Sequence, residues 1–563
     1  MDLFAGISEK LSEKTEGLTA EDIRNMLEIP PDPAMGDCAL PCFKLARTMR
    51  MAPPKIAEAL SEGLEIDGIR EIKTAGGYLN FYFDNAAFSA GVLGDVLSNE
   101  SYGSSEEGQG RNVCIDYSSV NIAKPFHIGH LSSTAIGNSL YRIYKYMGYN
   151  PVGINHLGDW GTQFGKLIAA YKLWGDDEKI EKDSVSAMLE LYVKFHEEAE
   201  KDDSLNDEGR AWFKKIEDGD EEALRIFNWF SELTLREAKK VYSMLDIEFD
   251  HYTGESFYND KMDPIVDELK EKGLLEQDEG AYIVRLDEEN IPPAIILKSD
   301  GATLYCTRDL AAAQYRHDTF DFAKSLYVVA YQQSLHFKQL FAVLKKMGRE
   351  WAKDCEHVAF GMVSLEGGDT LSTRKGKVVL LIDVLNAAVK KTLETINEKN
   401  PDLEDKEQTA HDIGVGAVIY STLSAGRIKD ISFSLDRVLN FDGETGPYVQ
   451  YTHVRAASVL RKYEGDCSSP DYSVFNEPDA FAVVKQISEF SSAVKTACEK
   501  NEPSVITRWV TLLCQYFNKY YYDTRIIDED EGKTAARIML TKAVKQTVKQ
   551  GLYLLGIKAP ERM

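Results

Sequence analysis

The sequence predicts an α/β protein centred on a parallel sheet, with a helical insertion in the sheet domain, a small α+β domain before it and an all-α region after it. Three features carry this expectation. Strand-like and helix-like runs alternate after residue 111 at the spacing of a βαβ arrangement. Acidic residues crowd a long helical stretch between Asp176 and Glu289. From Asp383 to Met563 a helical period dominates.

Taken in order, Met1 to about Asp84 holds amphipathic helical stretches and then Gly76-Gly77-Tyr78-Leu79-Asn80-Phe81-Tyr82-Phe83, whose alternation and aromatics read as a strand. The polar Gly/Ser-rich run Ser101–Gly110 marks a boundary, so a first domain is expected over 1–100. The sheet domain, 107–385, opens on the strand-like Asn112–Tyr117 and passes through a loop to a helix from near His127 to Tyr144. A strand at Pro151–Asn155 and a helix from about Thr162 follow. The insertion, about 172–290, reads as helical and carries patches such as Glu217-Asp218-Gly219-Asp220-Glu221-Glu222. Strand signals return at Ser325–Ala330 and His357–Val363. A connecting helical segment (386–440) and a helical domain (441–563) complete the chain.

Composition excludes several classes of protein. The 563 residues, 44% hydrophobic and 28% charged, suit a soluble protein of several domains with an ordinary core. No apolar run approaches the roughly 18 residues of a membrane span. The N-terminus has neither an apolar export core nor an Arg-rich transit start. Of the eight cysteines only Cys38 and Cys42 are close, and no second Cys or His pair stands at finger spacing, so a cytoplasmic protein with reduced thiols and no protein-bound metal cofactor is expected. A net charge of -26, taken as a sum, runs against a nucleic-acid partner.

The sharpest chemistry lies in Asp116–Leu131, DYSSVNIAKPFHIGHL. It places His-x-Gly-His after a strand and loop, at the start of a helix. A helix N-terminus offers unpaired N–H groups and partial positive charge to phosphates. Gly129, lacking a Cβ, lets a flat base approach the backbone. His127 and His130 can donate to phosphate oxygens as charge moves there, and Lys124 adds a mobile cation. By spacing alone, two histidines three apart on a helix are as a rule packed or surface residues. Gly161-x-x-x-Gly165-Lys166 imitates a phosphate-binding P-loop but is one residue short, and Leu167 stands where Ser or Thr would hold magnesium. Tyr305 and Asp309, four apart, share a helix face and suit a guanidinium, although an isolated Asp in a helix usually pairs with a neighbouring base.

His127-Ile128-Gly129-His130 matches the HIGH signature of class I aminoacyl-tRNA synthetases, and the preceding Ser118–Phe126 resembles the version in the arginine-specific members. Further similarities follow in chain order: Gly158–Lys166, Leu304–Asp309, Gln332–His336, Tyr448–Arg455 and Gly556–Met563. The resemblance covers the whole chain. It implies a Rossmann-like catalytic domain, an N-terminal domain that contacts the tRNA elbow and a C-terminal helical-bundle anticodon-binding domain. It further implies ATP-dependent ligation of L-arginine to tRNA(Arg) through an arginyl-adenylate. ATP would arrive with Mg2+ held by its own phosphates and water.

For the site, the resemblance implies His127, His130 and Lys124 as catalytic groups. Gly129, His127, His130, Ser372 and Lys375 would bind ATP. Asp116, Ser119, Asn121, His130, Tyr305, Asp309 and Gln333 would bind arginine, with Ser119 and Asn121 on its backbone groups. Tyr451, His453 and Arg455 would meet tRNA. The second class I signature, KMSKS, departs from pattern here as Thr370-Leu371-Ser372-Thr373-Arg374-Lys375-Gly376-Lys377, with threonines where lysines are usual. The resemblance implies that Lys124 supplies the missing charge, with Lys375 or Lys377 contributing. A monomer is expected from the resemblance alone. The acidic total is compatible with RNA because the acid concentrates in the insertion and binding follows local Lys/Arg placement. Two alternatives stand beside this reading: a class I enzyme for another amino acid, which Tyr305 and Asp309 disfavour, and a catalytically inactive tRNA-binding relative, which the degenerate lysine loop allows.

Overall fold

In the first domain β1 (Cys38–Pro41), β2 (Ile69–Ala75) and β3 (Tyr78–Phe83) form an antiparallel sheet in the order β1–β3–β2. Ala75 pairs with Tyr78, so Gly76 and Gly77 are the two-residue turn. Their φ values of 55° and 89° are those that side chains with a Cβ resist, which is why glycines stand there. Leu79, Phe81 and Phe83 are buried. Phe83 continues an aromatic row to Phe4 and to Phe88, and Phe88 meets Phe481.

The computed structural model describes residues 3–298, 305–365, 379–441 and 443–563. By packing, the chain divides into one unit of Met1–Tyr102, Arg455–Phe490 and Leu512–Val548 and another of Gly103–Val454, Ser491–Thr511 and Lys549–Met563. From residue 446 on the regular structure is helical, as expected.

The second unit is built on five parallel strands: β4 (Asn112–Asp116), β5 (Asn150–Asn155), β6 (His251–Tyr252), and, after the antiparallel sheet of the insertion, β10 (Lys324–Tyr327) and β11 (Cys355–His357). Val113, Cys114, Ile115 and Asp116 are all buried, the continuous pattern of a strand covered on both faces. The spatial order is β11–β10–β4–β5–β6. The chain therefore leaves β4 in one direction and returns to its other side at β10. That reversal opens a crevice beyond the carboxyl ends of β4 and β10, where α/β sheets bind ligands.

Helix α1 (Leu131–Tyr146) follows β4 and α2 (Thr162–Trp174) follows β5. The insertion continues with α3 (Val185–Ala199), α4 (Ser204–Glu217) and α5 (Glu221–Met244). Its end departs from the helical expectation. There β6 joins the parallel sheet, and β7 (Glu276–Asp278), β8 (Ala281–Val284) and β9 (Ala294–Leu297) form a separate antiparallel sheet. These strands are two to four residues long and interleaved with charge, too short to show a period of two. Helix α6 (Tyr305–Phe320) precedes β10 and α7 (Ser334–Lys346) follows it. Beyond β12 (Val363–Leu365), α8 (Leu381–Lys399) and α9 (Lys406–Leu423) pack together, and β13 (Ile431–Phe433) pairs in parallel with β12.

Candidate active site

Asp116 ends β4 at the mouth of the crevice, and the backbone beyond it is strained. Ser118, Ser119 and Ala123 have φ of 68°, 48° and 60°, a region that costs non-glycine residues energy and persists only where surroundings fix it. The surroundings do so. The Ser118 N–H donates to Ser133 Oγ (2.9 Å), and the Thr134 hydroxyl lies 2.9 Å from Ser118 Oγ. Ser118 Oγ also lies 2.9 Å from the Tyr242 hydroxyl, and the Ala123 N–H donates to Thr234 Oγ1 (3.0 Å). Ser133 and Thr134 are on α1 and Thr234 and Tyr242 on α5, so α1 and the insertion hold the loop together. Across it, Asn121 bridges Gly158 through backbone bonds, and a Cβ on Gly158 would run into Asn121 Oδ1.

The turn Ile128–His130 leads directly into α1. His127 Nδ1 accepts the Gly129 N–H (3.0 Å), so this nitrogen is unprotonated and Nε2 carries the ring hydrogen. His130 Nδ1 lies 3.2 Å from the His127 carbonyl, which can only accept, so His130 keeps its hydrogen on Nδ1 and presents a lone pair at Nε2. Burial, and then Lys124, lowers the pKa of His127. Burial, and then His127, pushes His130 down to about 3. Both rings are neutral at physiological pH, and their centroids are 4.0 Å apart. His127 is the ready donor of the two. Lys124 is exposed beside them.

The chain returns to this turn at residues 379–381. The Ile128 N–H donates to the Val379 carbonyl (3.1 Å), and the Leu381 N–H donates to the Phe126 carbonyl (2.9 Å). Ser372 and Lys375, the nucleotide contacts expected from the second signature, lie outside the described residues.

The opposite side of the crevice is charged. Asp309 Oδ2 is 2.6 Å from His336 Nε2, and its Oδ1 is 3.9 Å from His156 Nε2. Burial would raise the Asp309 pKa, but His336, His156 and Arg316 together outweigh it and hold the carboxyl low. Tyr305, one helical turn before Asp309, is 64% exposed. Gln333 is exposed at the head of α7. Asp116, Ser119, Asn121, Tyr305, Asp309 and Gln333 thus all sit on segments that end at the carboxyl edge of the sheet or cross it.

Several further charged groups were not singled out by the sequence. Glu255 is held on both sides, its N–H on the Leu157 carbonyl and the neighbouring Ser256 on Asp159 through the backbone N–H (2.8 Å) and the hydroxyl (2.6 Å). Burial, opposed by Arg308 and reinforced by Asp309 and Asp159, raises its carboxyl to about 7. Arg308 stands 4.0 Å from it. Arg316 is fully buried against Asp116, and His156 lies next to it. One acid among 91 in the sequence carries no mark of such a place, and Gly254-Glu255-Ser256 has no distinctive spacing. Among the described residues no three His, Cys, Asp or Glu side chains are grouped to hold a metal ion.

The expected tRNA contacts differ in placement. Tyr451 is 43% exposed. Arg455 lies over the Tyr521 ring and donates to Asn518. His453 is fully buried, with Nδ1 2.9 Å from the Pro560 carbonyl, so where it stands it braces the terminal segment.

Three family models match in succession: "Arginyl tRNA synthetase N terminal domain" over residues 2–83, "tRNA synthetases class I (R), catalytic domain" over 92–435 and "DALR anticodon binding domain" over 449–563. The chain is 53% identical over 565 residues to the arginine–tRNA ligase of Alkaliphilus metalliredigens. It is 51% identical over 566 residues to that of Halothermothrix orenii, and each alignment covers 100% of both chains. The solved arginyl-tRNA synthetase of Thermus thermophilus superposes with a TM-score of 0.83 at 26% identity, over 100% of this chain and 99% of that one. The crevice with its HIGH turn and its acidic far wall is therefore a class I site, and the chain belongs to the arginyl-tRNA synthetases.

Proposed function

We infer that this site joins L-arginine to ATP as arginyl-adenylate and then passes the arginine to a ribose hydroxyl of the terminal adenosine of tRNA(Arg). Arginine–tRNA ligation is the activity of the family, and nothing in the site favours an inactive relative. The observation that carries the assignment is the pairing of a phosphate-type turn with two carboxylates, Asp309 and Glu255, across one crevice.

The arginine carboxylate is already a nucleophile, so the first step needs no Ser or Cys. It attacks the α-phosphate in line and pyrophosphate leaves. The chain contributes position and electrostatics. His127 offers its Nε2 hydrogen, the N-terminus of α1 its dipole, and Lys124 a cation to the phosphates. His130, neutral and with a lone pair outward, suits a ribose or adenine donor until a phosphate raises its pKa. Gly129 keeps the turn open to the base. Ser372 and Lys375 are kept as proposed pyrophosphate contacts. Mg2+ enters with ATP and screens its phosphates.

For the amino acid, Asp309, Glu255 and Tyr305 take the guanidinium, with Gln333 as a further polar contact and Ser119 and Asn121 on the backbone groups. Two carboxylates match a planar fork and leave lysine short of one partner. A neutral side chain would leave them unpaired, which rejects it more strongly. Asp116, buried at the end of β4 beside Arg316, is a further proposed arginine contact. Tyr451 and Arg455 are the proposed tRNA contacts in the C-terminal part, and His453 supports them from within. Binding to tRNA should weaken steeply with salt. We place the enzyme in the cytoplasm as a monomer.

ATP–pyrophosphate exchange with each of the twenty amino acids, with and without total tRNA, tests this reading. Exchange with arginine alone supports it, and its dependence on tRNA tells whether RNA completes the site. Exchange with a different amino acid overturns the pocket. No exchange under either condition returns the inactive RNA-binding relative.

A further inference from the structure

Two consecutive residues of the site loop, Ser118 and Ser119, stand at φ of 68° and 48°, where a residue with a Cβ is strained. The hydroxyls around them form a chain whose direction is fixed. Thr134 gives its one hydroxyl hydrogen to the His130 carbonyl (2.7 Å), so towards Ser118 Oγ, 2.9 Å away, it can only accept. Ser118 therefore donates to Thr134 and accepts from the Tyr242 hydroxyl at 2.9 Å. Tyr242 in turn accepts from Asn155 Nδ2 at the end of β5 (2.9 Å). Burial pushes the Tyr242 phenol up to about 12, so it keeps the hydrogen that it donates. Tyr242, on α5, is 1% exposed, and Ser118 and Asn155 are buried with it. Rings extend the same link. Tyr117, Phe249, Tyr242, Phe126 and His130 follow one another with centroids 4.5, 5.0, 5.4 and 5.2 Å apart. Tyr242 thus meets the loop twice, with its hydroxyl at Ser118 and its ring at Phe126.

We propose that Tyr242 is a positioning residue for arginine activation: its hydroxyl locks Ser118, and with it the adjoining Ser119, in the strained backbone that presents Ser119 to the amino-acid backbone groups. Without this hydroxyl Ser118 and Asn155 each lose a buried partner, and nothing else on α5 bonds to Ser118 among the described residues. The strained stretch then relaxes towards ordinary φ and the amino acid meets a loop that is no longer preset. The far half of the loop keeps its own anchor, the Ala123 N–H on Thr234 Oγ1 (3.0 Å), and Phe126 keeps its contact with the ring. Loss of the hydroxyl alone should therefore separate the two substrates, weakening arginine and sparing ATP. The proposal rests on the site being one for arginine activation and on Ser119 facing the amino-acid backbone.

The test is ATP–pyrophosphate exchange by the full chain with total tRNA present, with the KM of each substrate measured. Exchange by the wild type judges the assignment of the reaction separately. Y242F, which keeps the ring, should raise the arginine KM about tenfold and leave the ATP KM within about twofold of wild type. An arginine KM within about twofold of wild type overturns the proposal, even if kcat falls, and so does an equal rise in both KM values. S118A removes the same bond from its other end and should give the same split. The double variant Y242F/S118A should be no more than about twofold worse than the poorer single variant, because the two changes break one link. Losses that multiply, to about a hundredfold, overturn it, since the residues would then act apart. If Y242F does not fold, S118A takes the same measurements under the same criteria.

Discussion

Among the described residues, the proposed nucleotide side of this site is one short turn of chain, Lys124 to His130, whereas the proposed amino-acid side gathers Asp116, His156, Glu255, Asp309, Arg316 and His336 from five separate segments. The first works with neutral rings, an exposed lysine and a helix end. The second works with buried charge, in which carboxylates are held ionised or neutral by their neighbours. Phosphates bring their own charge, so their side of the site need only offer hydrogen donors in a fixed turn. A guanidinium must be distinguished from an ammonium and from neutral side chains, and that requires carboxylates in a low-dielectric place, which only a folded network can keep there.

If this contrast holds, the largest effect comes from the charged side. D309N should cut arginine-dependent exchange about 10³-fold, because it removes the ionised partner that His336 and His156 hold in place. A loss below tenfold would mean that the guanidinium is met elsewhere. Next comes the turn. H127A should lower kcat for exchange about 10²-fold with the arginine KM nearly unchanged, since the donor is used on the phosphoryl group. A shift in arginine KM with kcat preserved would join the two sides that the comparison separates.

A pH profile sharpens the contrast further. Glu255 is raised from 4.5 to about 7 in the folded chain. Its protonated form is the favoured one, so its contribution to stability is full below about 4.5 and is lost as pH rises towards 7. Arginine, a cation, favours the ionised form. Its affinity should therefore rise about tenfold between pH 6 and 8, with release of a proton on binding. E255Q should flatten that slope, and an unchanged slope in E255Q would assign it to another group. His130 contributes no limb in this range, being held down at about 3. The smallest effect belongs to Tyr305, which is 64% exposed. Y305F should raise the arginine KM only about fivefold, the worth of one exposed hydrogen bond, and a change beyond about fiftyfold would give it a larger share of recognition than its exposure allows.

What could be read from the residues followed the same division. His127, Gly129 and His130 were legible because they fall in one contiguous run that matches the HIGH signature, whereas their spacing alone reads as packed or surface histidines. The strands ending at Phe83 and Asp116 were legible because an alternating aromatic run and an apolar run are local signals, whereas Gly76-Gly77, read as part of the first of these, is the turn that joins it to β2. The antiparallel sheet of β7, β8 and β9 was not legible, since its strands are shorter than the period that would reveal them. His453, expected among the tRNA contacts, is fully buried beside the Pro560 carbonyl.

By itself the sequence determined the family, the parallel sheet, the HIGH turn and the placing of Tyr305 and Asp309 one helical turn apart, because each depends on residues near one another along the chain. Only the tertiary structure decided that Asp116 faces Arg316, that Glu255 stands near neutral pH between Arg308 and other carboxylates, and that α5 of the insertion holds the strained loop at Ser118 and Ala123. Those facts depend on which charges share a dry space, and burial and distance between remote residues are properties that no local pattern carries.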